Sequence, residues 1–155
     1  MNDEFALSLL SLQKSKTITE LRECNELTVE YGLFLSEAQI QSLTERRFSA
    51  LSQTGRVEFG DGILKKLITA FRDSPYLTQE NYEDTILDIQ DSFYYFKNES
   101  MDRISDDELI AFMKRHFDGF CQGSLDYLSG TTLEELCRNT RYGYETELDW
   151  QNPSF

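Results

Sequence analysis

In several segments of this 155-residue chain apolar residues recur at intervals of three and four, the spacing of one helix face. The clearest case is Tyr82, Ile86, Ile89, Phe93 and Phe96, which fall within about 80° of arc at 100° per residue and predict the inward face of a helix over 79–97. Leu21, Cys24, Leu27 and Tyr31 mark a helix over about 18–31, and Ile40, Leu43, Ala50 and Leu51 another over 37–54. Ile63, Leu64, Leu67, Ile68 and Phe71 predict a helix reaching about 73; Leu109, Ile110, Met113, Phe117 and Phe120 predict one over 106–121. Shorter helices are expected at Leu125 to Leu128 and Leu133 to Arg138.

Boundary residues agree with this division. Thr17/Glu20, Ser36/Gln39, Ser105/Glu108 and Thr132/Glu135 each have the three-residue spacing with which a hydroxyl and an amide or carboxylate cap a helix start reciprocally. Gly32, Gly55 and Gly123 stand where left-handed helix C-caps belong, Asp61 reads as an N-cap, and Pro75 prevents the helix before it from continuing. Residues 5–12 alternate as Phe5, Leu7 and Leu9 yet also fit a helix. The alternation tips them toward strand, and with the extended Arg56-Val57-Glu58-Phe59 they make a candidate two-stranded element. The expected fold is mainly α, a compact single-domain bundle of five to seven helices over 1–155. Residues 142–155 have no period and are either a loose C-terminal segment or a crossing anchored by Tyr144 and Trp150.

Composition sharpens this reading. Leu, Ile, Val and Phe supply 41 residues, enough for a core, but only two of them are Val, so the apolar material suits helices better than sheets. The net charge of −13 lacks the basic footprint that nucleic-acid phosphate requires and would be repelled by anionic lipid. No window approaches a membrane span, and the acidic start Met1-Asn2-Asp3-Glu4 does not resemble an export signal. Cys24, Cys121 and Cys137 are odd in number and widely spaced, as expected of buried reduced thiols in a cytoplasmic protein.

Charge is distributed unevenly: residues 46–72 carry a net +4 and residues 73–110 a net −9. On the helix over 79–97, Glu80, Asp84, Asp88, Asp91 and Tyr95 share about 80° of arc opposite the apolar stripe. Like charges four apart oppose helix formation, so this acidic ridge is locally unfavourable. Its ordinary reading is a solvated face; its functional reading is a docking surface for a basic partner. A third reading sets Lys65, Lys66 and Arg72 against it, within one molecule or across a dimer. Leu87 and Tyr94 lie on a further side of the same helix, which is therefore either central or part of an interface; Tyr94 joins Tyr95 as a candidate contact residue. Arg47 points into an apolar stripe and calls for a buried ion pair.

Specific chemistry is sparse. His116 is the single histidine, which excludes two-histidine metal sets, and it lies on the edge of an apolar stripe where a structural role is expected. Phosphate-binding and nucleophile-elbow motifs are absent, so no catalytic residue, metal ligand or cofactor is assigned. The run Lys97 to Glu108 resembles the second half of an EF-hand loop, but Lys97 replaces its first carboxylate, Met101 its fifth ligand and Asp102 its glycine. A second likeness covers most of the chain. From Tyr31-Gly32-Leu33 through Phe34-Leu35-Ser36-Glu37-Ala38 and Glu108-Leu109-Ile110 to Thr140-Arg141-Tyr142-Gly143-Tyr144, it resembles a family of short uncharacterised bacterial proteins, a resemblance that implies no activity.

The functional expectation is a soluble acidic interaction or regulatory protein that docks a basic protein partner, or a second copy of itself, through the helix over 79–97. The alternative is an enzyme with an internal-cleft site lacking a local motif. A more remote third is an acidic decoy of nucleic-acid phosphate.

Overall fold

The computed structural model describes residues 2–56 and 62–141; all its regular structure is helical. The first element departs from expectation. α1 runs unbroken over Asn2–Thr28, so residues 5–12 are helix rather than strand, and a 3-10 turn, Val29–Tyr31, continues it. The Phe5, Leu7, Leu9 alternation was outweighed by continuity with a long helix-compatible run. Residues 57–59, the other half of the candidate β element, and Asp61 lie outside the described residues. The pair Thr17/Glu20 does not start a helix either. In mid-helix the Thr17 hydroxyl donates back to the Gln13 carbonyl at 3.1 Å, and the Glu20 carboxylate accepts from the Gly62 amide at 3.1 Å.

α2 occupies Glu37–Thr54, as its pattern predicts. Ser36 and Gln39 close the reciprocal box: the Gln39 amide donates to the Ser36 hydroxyl at 3.1 Å and the Ser36 amide to Gln39 Oε1 at 2.9 Å. Gly55 ends the helix at φ 67°, with the Arg56 amide returning to the Leu51 carbonyl at 2.9 Å. The link before α2 is gripped by two amide side chains acting as surrogate backbone. Asn25 exchanges two hydrogen bonds with Leu35, and Gln79 exchanges two with Phe34.

α3 (Ile63–Phe71) buries all five residues of its predicted stripe, with Gly62 as N-cap. α4 (Tyr82–Glu99) begins three residues later than the sequence suggests, because Thr78 and Asn81 first bond one another in a turn of their own. α5 (Asp106–Asp118) starts at Ser105, whose hydroxyl accepts from the Glu108 amide at 3.2 Å. It stops short of the expected residue 121. Phe120, predicted inward, is instead 72% exposed. The turn that follows takes Gln122 and Gly123 to φ 50° and 80°, and a Cβ on Gly123 would stand 2.6 Å from the Tyr76 ring. Only glycine meets both demands.

The last described stretch is one continuous path of changing pitch: α6 (Leu125–Tyr127), a π-helical segment (Leu128–Leu133) and α7 (Glu134–Arg141). Leu128 and Leu133 are both fully buried. Their five-residue separation is close to one π turn, which sets both on the inner side; an α-helix would splay them apart. Thr132 lies inside this segment, its hydroxyl 3.8 Å from Cys121 Sγ, and does not cap α7.

One core cluster draws on α1 through α5 and on the π-α7 path, and α4 runs through its centre. Tyr94, 0% exposed, and Leu87 are part of that core. The third side of α4 is therefore a packing surface, and Tyr94 is withdrawn from the contact residues.

A candidate docking groove along helix α4

The acidic ridge survives this packing with its geometry intact. Glu80 precedes α4, Asp84, Asp88, Asp91 and Tyr95 project from it, and all five are exposed. Asp91 meets Arg46 at 3.4 Å, an exposed pair with both side chains about half accessible. Asp88 registers the crowding. Partial desolvation, then Asp91 and Asp84, hold its carboxyl above the ordinary aspartate range; Arg46 opposes them and Asp126 adds a little more.

Asp126 belongs to a wall the sequence pattern does not reveal. The π-helical segment lies alongside α4, with the Ser129 and Ser92 hydroxyls 3.1 Å apart, and between them runs an open groove of about 560 Å³. Asp91 and Tyr95 line one side; Asp126, Gly130 and Glu134 line the other. The groove continues into a notch of about 60 Å³ between Tyr95, Phe96, Glu99, Glu134 and Cys137. Outside it, Phe120 and Tyr127 stack on one another with ring centroids 5.4 Å apart, both largely exposed. Sequence reasoning missed Asp126, Glu134 and this aromatic pair. Opposing walls are a tertiary fact, and the one available signal was the Ser129-Gly130-Thr131-Thr132 run, too polar and flexible for an ordinary α-turn.

Apart from Arg46, the basic residues of 46–72 are engaged elsewhere in the molecule. Arg56 holds Asp102 at 2.7 Å, Lys65 faces Glu23 at 3.6 Å, Lys66 meets Asp107 at 3.0 Å, and Arg72 lies over the Tyr31 ring. Lys65 and Lys66 also edge a separate, mostly apolar groove of about 450 Å³ between α3 and α5, floored by Ala70, Ile110 and Ala111. The expected intramolecular meeting of Lys65, Lys66 and Arg72 with the ridge does not form.

Arg47 is 5% exposed and donates to the Thr17 hydroxyl. Its guanidinium carbon and Glu20 Oε2 both approach Gly62, lying 3.4 and 2.9 Å from where a Cβ there would stand. The cluster ties α1, α2 and the start of α3 together from within. His116 packs its ring 4.3 Å from that of Phe112, and its Nε2 is buried without a hydrogen-bond partner among the described residues. Desolvation, with a smaller contribution from Arg115, lowers its pKa and keeps it neutral near pH 7. Neither Arg47 nor His116 lines any of these three cavities.

The run from Lys97 to Glu108 already contains its cation. The nearly buried Lys97 ammonium donates to the Ile104 carbonyl at 2.6 Å and pairs with Asp106 at 2.9 Å, with Asp102 at 3.8 Å. Met101 and Asp102 take left-handed φ of 55° and 57° to wrap the loop around it. An internal lysine thus closes the loop through its sixth, eighth and tenth positions, none of which is an EF-hand ligand position. Among the described residues no three His, Cys, Asp or Glu side chains converge as a metal set. The three thiols are free and buried; burial is the main influence pushing Cys24 up to about 11, so it remains protonated near neutral pH.

A family model covering residues 20–146 matches this chain. The chain belongs to the DUF6323 family. DUF6323 is a family of unknown function, so membership assigns no activity. No curated protein and no solved structure matches this DUF6323 chain. No helix among its described residues is long and apolar enough to cross a membrane.

Proposed function

We propose that this DUF6323 protein is an interaction or regulatory protein that docks a basic segment of a partner protein in the groove between α4 and the π-helical segment. One observation carries the reading: carboxylates from two facing walls, Asp91 on α4 and Asp126 and Glu134 across from it, line one open groove, with Asp84 and Asp88 exposed on the same face of α4. Like charges held together at a stability cost are relieved by a cation from outside. A second copy is the weaker occupant, because the lysines and arginines of 46–72 are engaged within the molecule. Nucleic acid and anionic membrane would be repelled by the same field.

The test is affinity capture from native extract with the wild-type protein and with Asp84→Lys, Asp88→Lys, Asp91→Lys combined. These side chains are exposed, so the variant should keep its helical circular dichroism. The expected result is a partner recovered by wild type at low salt, released as salt is raised, and lost with the triple variant. Capture by the variant at undiminished yield, with unchanged salt dependence, removes the proposal.

A further inference from the structure

Near the α6 wall of the acidic groove two large aromatic rings are left exposed. Phe120 is 72% exposed and Tyr127 43% exposed, and their rings meet at a tilt of 60° with centroids 5.4 Å apart. Tyr127 directly follows the groove-lining Asp126 in α6, so the pair lies close to that wall while standing outside the lining itself. The backbone holds the pair out deliberately: α5 ends before Phe120, and Gln122 and Gly123 adopt left-handed conformations that turn the chain into α6. Exposed large apolar groups rimmed by charge are the ordinary signature of an anchor site for another molecule.

Resting on the docking reading above, we infer that the occupant is a cationic amphipathic helix, with an apolar residue seated on Phe120 and Tyr127 and lysines or arginines along the carboxylates. Three features favour a helix over an unstructured polycation. The carboxylates Asp84, Asp88 and Asp91 repeat at helical spacing, as a facing helix with basic groups every three or four residues would. From Asp84 to Tyr95 the ridge rises about 16 Å, the length of about three helical turns. An aromatic anchor beside the carboxylates fixes the register of such a helix, whereas a uniform polycation has no use for it.

The experiment titrates two synthetic twelve-residue peptides of identical Lys, Arg and Leu composition, one patterned to form an amphipathic helix and one scrambled. Wild-type protein should bind the patterned peptide at least fivefold more tightly. Phe120→Ala should bring the two within twofold by weakening only the patterned peptide, and Asp84→Asn, Asp88→Asn, Asp91→Asn combined should weaken both. Equal affinity of the two peptides for wild type, or a preference that survives Phe120→Ala, overturns the inference and leaves the docking reading standing. Binding of neither peptide at low salt overturns both. Sedimentation that shows self-association lost on Phe120→Ala gives the aromatic pair to a second copy and also overturns the inference.

Discussion

Two regions of this molecule handle acidic side chains in opposite ways. In the loop from Lys97 to Asp106 the carboxylates of Asp106 and Asp102 are folded onto a buried lysine that the chain itself supplies, and in the cluster of Glu20, Arg47 and Thr17 the carboxylate accepts from the Gly62 amide while the buried guanidinium donates to Thr17. Along α4, four carboxylates on one exposed face share the single weak pairing of Asp91 with Arg46 among the ion pairs described. The contrast shows that this sequence is able to neutralise its carboxylates where structure needs them neutralised. The α4 face was left otherwise, and that difference supports the proposal that the second region serves recognition while the first does structural work.

The comparison breaks most visibly at Arg47. Replacing it by Met removes the buried guanidinium that donates to Thr17 and lies with Glu20 against Gly62, and leaving buried polar groups unsatisfied beside a charge costs about 3 kcal/mol or more. Urea denaturation should show that loss as a fall in midpoint with an unchanged slope. A variant within about 1 kcal/mol of wild type would mean that Glu20 reaches water or protonates, and that the cluster is not the internal tie it resembles.

Lys97 ranks next. Lys97→Met keeps the length and removes the ammonium at which Asp106, Asp102 and the Ile104 carbonyl converge, a loss of about 2–3 kcal/mol by the usual worth of hydrogen bonds to charged groups. The same variant sharpens the comparison in a second way. With the lysine gone the loop's carboxylates face the calcium problem directly, yet the ligand-free fifth position remains Met101. Calcium should therefore leave the melting temperature of both wild type and variant unchanged; a rise for the variant would mean that the lysine excludes a metal.

How much of this was legible beforehand follows the range of the interactions. Ser36 with Gln39, the three left-handed glycines and the apolar stripes of α2, α3 and α4 depend on neighbours within four or five residues, so the sequence alone places them. Thr17 and Glu20 have the same spacing as a true cap, but their partners are Arg47 and Gly62, reached only after the chain has folded back. Tyr94 was misplaced for the same reason: a residue off the main stripe is core when other helices surround it on every side. In the candidate groove, the α4 wall was visible as a helical repeat of acids. Asp126, Glu134 and the Phe120–Tyr127 pair were not, because they join it across a π-helical segment that no simple periodicity announces.

The smallest expected effect bears most directly on the ridge. Asp88 has a folded-state pKa above its ordinary value, so the folded protein binds that proton more tightly than the unfolded chain does. The charged form is accordingly the disfavoured one in the fold. As pH falls through the raised value the folded state gains relative to the unfolded, and as pH rises past it that gain disappears. Asp88→Asn removes the charge at all pH values and should stabilise the protein at pH 7 by a few tenths of a kcal/mol, the scale of like-charge pairs on an exposed helix. The advantage should shrink as pH is lowered toward 4, where wild-type Asp88 takes up its own proton, and should also shrink in high salt. A variant less stable than wild type at pH 7, or an advantage that grows on acidification, would show that Asp88 is held by a favourable partner. The two regions would then treat their carboxylates alike.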